Sequence, residues 1–182
     1  QNQKYQFNYL DNYMRAILSV YDKSGVIELG KKLSDSGLEI ISTGGTYKQL
    51  SDSNIKVTAV KEVTDFPEIL DGRVKTLHPK IYGGLLARRN NENDMAQLSN
   101  HAIPTIDLVA VNLYPFSHAI SKPSCTLDDA LENIDIGGPA MLRAAAKNFR
   151  AVIVIVDPKD YDQVADTISE NGLNGIDFNY RK

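Results

Sequence analysis

The sequence predicts an α/β protein, a three-layer α/β/α sandwich around a mostly parallel sheet of five strands. Three observations lead there. Short apolar runs rich in β-branched residues recur along the chain, segments with helical spacing lie between them, and the residues at the junctions are those that start and stop helices.

The strand-like runs are residues 16–20, 38–41, 56–60, 106–113 and 151–156. Each is close to continuously apolar, as expected of strands covered on both faces. Between them, Val26, Leu29, Gly30 and Leu33 form a stripe at i, i+3, i+4 and i+7. Leu127, Ala130, Leu131 and Ile134 form a second, and Tyr161, Val164, Ala165 and Ile168 a third. Each stripe predicts a helix that lays one face on the sheet. Thr126 precedes the second as a cap; Asp157 and Pro158 supply a cap and a first-turn proline to the third. Asn171 and Gly172 end that helix. Strands alternating with helices imply parallel pairing through crossovers, and such sheets bind ligands beyond the carboxyl ends of their strands.

The bulk numbers fit one domain. The chain has 182 residues, 42% hydrophobic and 24% charged, with a formal net charge of −3. No long basic run occurs, so neither nucleic acid nor an anionic membrane is an expected partner, and any anion site must be local. The longest apolar run, residues 151–156, is far short of the roughly 20 residues of a membrane helix. The single cysteine, Cys125, excludes an internal disulfide framework and fits a reducing, cytoplasmic setting. Residues 1–13 are rich in Asn, Gln and Tyr without periodicity, and read as a disordered leader, either an extension or a cloning remnant. Residues 14–182 are expected to form the folded domain.

Chemistry is sought at the strand-to-loop junctions. The second strand runs into Ser42, Thr43, Gly44, Gly45 and Thr46, followed by a helical segment. Two glycines let the backbone aim N–H groups at one point while the helix start adds partial positive charge, which suits a phosphate; a plain tight turn is the alternative. The first strand ends near Ser19, Tyr21 and Lys23, where the lysine can add charge to the same anion or stay a solvated surface cation. In the segment from Gly72 to Pro79, Arg73 and Lys75 alternate. An extended chain would point both to one face beside Thr76; an exposed basic edge neutralised by Asp71 and Glu68 is the alternative. His78, before Pro79, reads as structural, and three histidines without carboxylates at ligand spacing predict no metal site. The fourth strand delivers Asn112 and Tyr114 to the same edge. Last, Asp135 between two isoleucines precedes Gly137, Gly138 and Pro139 at another helix start. Asp135 can serve as a base with a raised pKa or simply cap the helix.

Taken in order, SVYDKSG, STGGT, GRVKTLHP, NLYPF and IDIGGPAMLRAAAKN resemble the inosine monophosphate cyclohydrolase domain of the bifunctional purine-biosynthesis enzymes that also carry a transformylase. The resemblance covers roughly residues 14–161. It implies a methylglyoxal synthase-like fold, a homodimer, and fusion to a transformylase domain that this sequence lacks. It implies that Lys23, Thr43, Gly44, Gly45, Thr46, Arg73, Lys75 and Thr76 hold the nucleotide, mostly its 5′-phosphate. Ser19, Tyr21 and Ser42 belong to the same substrate-binding set, and Asn112, Gly137 and Gly138 line the base and formyl end. Lys75, Tyr114, Asp135 and Lys147 match catalytic positions. Tyr21 stands where some members carry a small hydroxyl residue, which leaves its role open.

The implied reaction closes a ring within one molecule and expels water, so no cofactor or metal is required. An amide nitrogen is a poor nucleophile. Lys75 and Tyr114 are expected to polarise the formyl oxygen, Asp135 to take the amide proton, and Lys147 to deliver one to the departing hydroxyl. On a straight helix, at about 1.5 Å per residue, Lys147 lies on the order of 15 Å from Asp135, so it joins the site only if that helix breaks or a second subunit contributes. Methylglyoxal synthase itself is disfavoured, since it would want a histidine near residues 19–23. A regulatory module like the effector domain of carbamoyl phosphate synthetase would keep the phosphate loop without needing Tyr114, Asp135 or Lys147. A dinucleotide-binding domain lacks its G-x-G-x-x-G fingerprint here.

Overall fold

In the computed structural model, residues 13–182 are described. Apart from Tyr13, which is exposed, the expected leader lies outside them. The five expected strands form: β1 (Arg15–Leu18), β2 (Glu39–Ser42), β3 (Val57–Ala59), β4 (Leu108–Ala110) and β5 (Ile153–Ile155). They make one all-parallel sheet in the order β3-β2-β1-β4-β5. β4 is shorter than its apolar run: Val111 still donates to the Ile155 carbonyl, but the chain then leaves the sheet at Asn112.

Ten α-helices are described: α1 (Val26–Asp35), α2 (Gly44–Asp52), α3 (Val60–Thr64), α4 (Pro79–Leu86), α5 (Glu92–Asn100), α6 (Phe116–Ile120), α7 (Leu127–Glu132), α8 (Gly137–Lys147), α9 (Tyr161–Asn171) and α10 (Phe178–Arg181). The pleat of β1 divides the core. Ala16 and Leu18 face one layer, where α1 and α9 bury Leu29, Leu33, Val164 and Ile168. Ile17 faces the other, where α4 and α8 bury Ile81, Leu85, Met141 and Ala145. This is the expected three-layer sandwich.

The helix signals hold at α1 and α9. Asp157 accepts from the N–H of Lys159 to start a 3-10 turn at Pro158, and Gly172, with φ 67°, ends α9. At α7 the cap holds but the packing does not. Thr126 and Asp129 form a reciprocal capping box, yet Leu127 is 76% and Leu131 52% exposed. The stripe does not lie on the sheet because α7 stands at the rim beyond the strand ends, next to α6. Of the helices the sequence reading does not expect, α3, α4, α5, α6 and α10, two have plain local causes. His78 is the N-cap of α4, its Nδ1 accepting from Lys80, with Pro79 in the first turn. α5 begins at an Asn91 cap and buries only Leu98, so it leaves no stripe to read. No described helix is long and apolar enough to cross a membrane.

Candidate active site

The strand order changes direction between β1 and β4. From β1 the chain steps outward to β2 and β3, then returns to the far side of β1 through β4 and β5. The loops leaving β1 and β4 therefore part and open a crevice at the carboxyl edge. A cleft of about 750 Å³ occupies it, lined by Ser19 and Tyr21 after β1 and by Asn112 and Tyr114 after β4. Arg73, Lys75 and Thr76 come from the loop before α4, and Asp135, Gly137 and Gly138 from the start of α8. Ligand pockets run from about 300 to 1,000 Å³, so a nucleotide-sized guest fits.

Beside this cleft lies the start of α2. Gly44 takes a left-handed φ of 57°, and no side chain caps the helix. Thr43, at the cap position, donates its hydroxyl at 2.6 Å to Glu68 Oε1 instead. The first N–H groups of α2 thus have no partner within the helix. Two ammonium groups flank them. A methyl group built on Gly44 would lie 3.5 Å from Lys75 Nζ, and one on Gly45 would lie 3.3 Å from Lys23 Cε and 3.7 Å from its Nζ. Lys23 Nζ is held there by donating to the Val20 and Tyr21 carbonyls at 3.3 Å each. A bare helix start between two cations is an anion-binding arrangement.

Other expected residues serve as frame. Ser42 is fully buried, and its hydroxyl donates to the Leu18 carbonyl at 2.6 Å, out of a ligand's reach. The Thr46 hydroxyl accepts from the N–H of Val20 and donates to the Val20 carbonyl, each at 3.1 Å, fastening the β1 exit to α2. Asn112 uses its whole amide. Its Oδ1 accepts from the N–H groups of Tyr21 and Asp22 at 2.7 and 2.8 Å, and its Nδ2 donates to the Asp22 carbonyl at 2.9 Å. Asp22 is itself held below the usual carboxylate range by the hydroxyl and N–H of Ser24.

Asp135 caps α8, its Oδ1 accepting from the N–H of Gly138 at 3.0 Å. A Cβ on Gly138 would meet Asp135 Oδ2 at 2.6 Å and Leu113 Cδ2 at 2.7 Å, so this turn admits only glycine without rearrangement.

One expectation is corrected. Arg73 and Lys75 line the same cleft, but not as alternate residues of an extended chain. Leu70 and Asp71, with φ of 55° and 53°, and Gly72 with 83°, fold this stretch into a tight turn closed by the Ile69–Val74 bridge. Lys75 goes to the Gly44 loop, while Arg73 crosses the rim to an ion pair with Glu132 at the end of α7. Lys147 is not among the residues lining the cleft. α8 runs unbroken over its 11 residues and leaves Lys147 exposed at its far end, where a cation suits the helix dipole. Sequence reading did not supply the partners of Glu68, which takes the Thr43 hydroxyl at the edge of the glycine loop, or of Glu132 in the cleft wall, which meets Arg73 across 59 residues, so that only the folded chain joins them.

A protein-family model described as the MGS-like domain matches residues 25–140. The chain belongs to that family. Twenty-one solved chains match it. One of them, the crystal structure of ForH, is 38% identical with a TM-score of 0.82, over 93% of this chain and 87% of that one. The matched span of this MGS-like domain runs from the start of α1 to the first turn of α8, so it includes the glycine loop, the Lys75 segment, Tyr114 and Asp135, while Lys23 lies just before it.

Proposed function

We propose that this MGS-like domain is an inosine monophosphate cyclohydrolase, closing the second purine ring of 5-formamidoimidazole-4-carboxamide ribotide with loss of water. The observation that carries this reading is the convergence of Lys75, Tyr114 and Asp135 on one cleft, beside a helix start flanked by two lysines. That the family contains enzymes supports the reading.

In this reading the 5′-phosphate sits on the first N–H groups of α2 against Lys23, and the imidazole ring extends toward Asp135 and Gly138, which brings its formyl group to Lys75. Lys75 and Tyr114 stabilise the charge that develops on the formyl oxygen as the amide nitrogen attacks the formyl carbon. A C–N bond forms as the amide proton passes to Asp135, and the formyl oxygen takes a proton from the Tyr114 phenol; the carbinolamine hydroxyl then leaves as water with the proton returned by Asp135, while the former formamide nitrogen gives its hydrogen back to Tyr114 as the C=N bond forms. Holding formamide and carboxamide together contributes much of the rate, because the reaction is intramolecular only when the side chain is folded inward. Arg73 joins the nucleotide after leaving Glu132. Lys147 takes part only if a second copy of the chain, in the homodimer the resemblance implies, presents it.

Mixing the protein with the formylated ribotide and following ultraviolet absorbance tests this directly. Cyclisation should exceed the protein-free rate by several orders of magnitude. Tight binding without turnover would instead favour a regulatory ligand-binding module of the same fold.

A further inference from the structure

Tyr21 lines the cleft, yet the cyclisation chemistry assigns it no task. It is 56% exposed, but it is not a loose surface aromatic. Its ring meets that of Tyr114 edge-on, with centroids 4.4 Å apart and planes at 65°. In that geometry the positive edge of one ring faces the negative face of the other.

The backbone beneath the pair is fixed by one amide. Asn112 stands two residues before Tyr114 and binds the N–H groups of both Tyr21 and Asp22. The exits of β1 and β4 are thereby locked in register, and the two rings meet above the lock. Tyr114 has little else to hold it. It lies on a stretch outside helix and strand, and among the described residues no hydrogen bond or ion pair engages its hydroxyl. A half-buried phenol on a loop samples several rotamers unless a neighbour selects one.

We propose that Tyr21 is a positioning residue whose ring, edge-on against Tyr114, selects the rotamer that keeps the Tyr114 phenol in the cleft with Lys75 and Asp135. The kinetic consequence rests on the cyclisation reading; the ring pairing does not.

Removing the ring with Tyr21→Ala should lower kcat about five- to tenfold, the size of one edge-to-face contact, with KM changed by less than about twofold. Tyr21→Phe should recover most of that loss. In a Tyr114→Phe background, where the hydroxyl is already gone, Tyr21→Ala should change kcat by less than about twofold. An unaltered kcat in Tyr21→Ala, a Tyr21→Phe as impaired as Tyr21→Ala, or a full loss persisting in the Tyr114→Phe background would each overturn the proposal. A readout independent of turnover separates this from the cyclisation reading. With carbon-13-labelled tyrosine, the Tyr114 ring resonances should move when Tyr21 becomes alanine and stay close to their original positions when it becomes phenylalanine. An inactive wild type that shows those shifts loses the cyclisation reading and keeps the pairing, whereas absent shifts overturn the pairing whatever the activity.

Discussion

Replacing Lys75 with methionine is expected to lower kcat/KM for ring closure by a hundred- to a thousandfold, about the cost of removing one donor from an oxyanion site. Methionine keeps the length of the side chain and removes the charge, and no hydrogen bond or ion pair of the fold uses the Lys75 ammonium among the described residues. Its position near Gly44 gives it two candidate duties, the phosphate and the formyl oxygen. Steady-state kinetics separates them. A fall mainly in kcat assigns Lys75 to the reacting end, as the account predicts. Lys23→Met supplies the contrast: Lys23 sits over Gly45, where the phosphate is proposed to bind, and its loss should raise KM while leaving kcat within a few-fold. If Lys75→Met raised KM alone, Lys75 would belong to the phosphate grip and the oxyanion would rest on Tyr114.

The largest expected effect on stability is that of Leu18→Ala. Leu18 lies in β1, the central strand, paired on one side with β2 and on the other with β4. Its side chain is fully buried in the layer formed with α1 and α9. Nothing there can close over the space left behind: α1 already packs so tightly on α2 that a Cβ on Gly30 would come within 2.7 Å of Leu50 and 3.6 Å of Leu18. A cavity at such a place costs about 3–5 kcal/mol. For a domain of this size that corresponds to a fall in Tm of roughly 10 °C, readable by calorimetry or circular dichroism. A drop below about 1 kcal/mol would show that the two layers relax far more freely than their packing implies.

The two cases also show which parts of the molecule the chain announces. β1 and β5 could be read because parallel strands covered on both faces are apolar throughout, and α1 and α9 because each covers one face of that sheet with a stripe. α7 carries an equally clear stripe and a capping box, but periodicity says only that a face is apolar, not what lies against it, and α7 sits past the end of the sheet. α5 was hidden for the converse reason, since a helix that buries one leucine leaves no period. In the site, the glycine loops were legible because adjacent glycines before a helix permit few backbone paths. The duties of their neighbours were not. Ser42 and Thr46 look like phosphate ligands by type, yet both hydroxyls fasten the β1 exit. Arg73 turns to Glu132 because two successive residues adopt positive φ before Gly72, a local choice that alternation of charges does not reveal. The order β3-β2-β1-β4-β5, which opens the cleft, depends on pairings between distant segments and has no local signature.

Ring closure in this cleft requires one nucleotide gripped across these loops, with its phosphate at the start of α2 and its base against α8. A crystal structure of the protein with bound inosine 5′-monophosphate tests that most directly. It should show phosphate oxygens within hydrogen-bond distance of the Gly45 and Thr46 N–H groups and of the Lys23 ammonium, with the hypoxanthine ring between Tyr114 and the Asp135–Gly138 turn. A nucleotide bound away from the Gly44–Gly45 loop, or with its base turned out of the cleft, would contradict it.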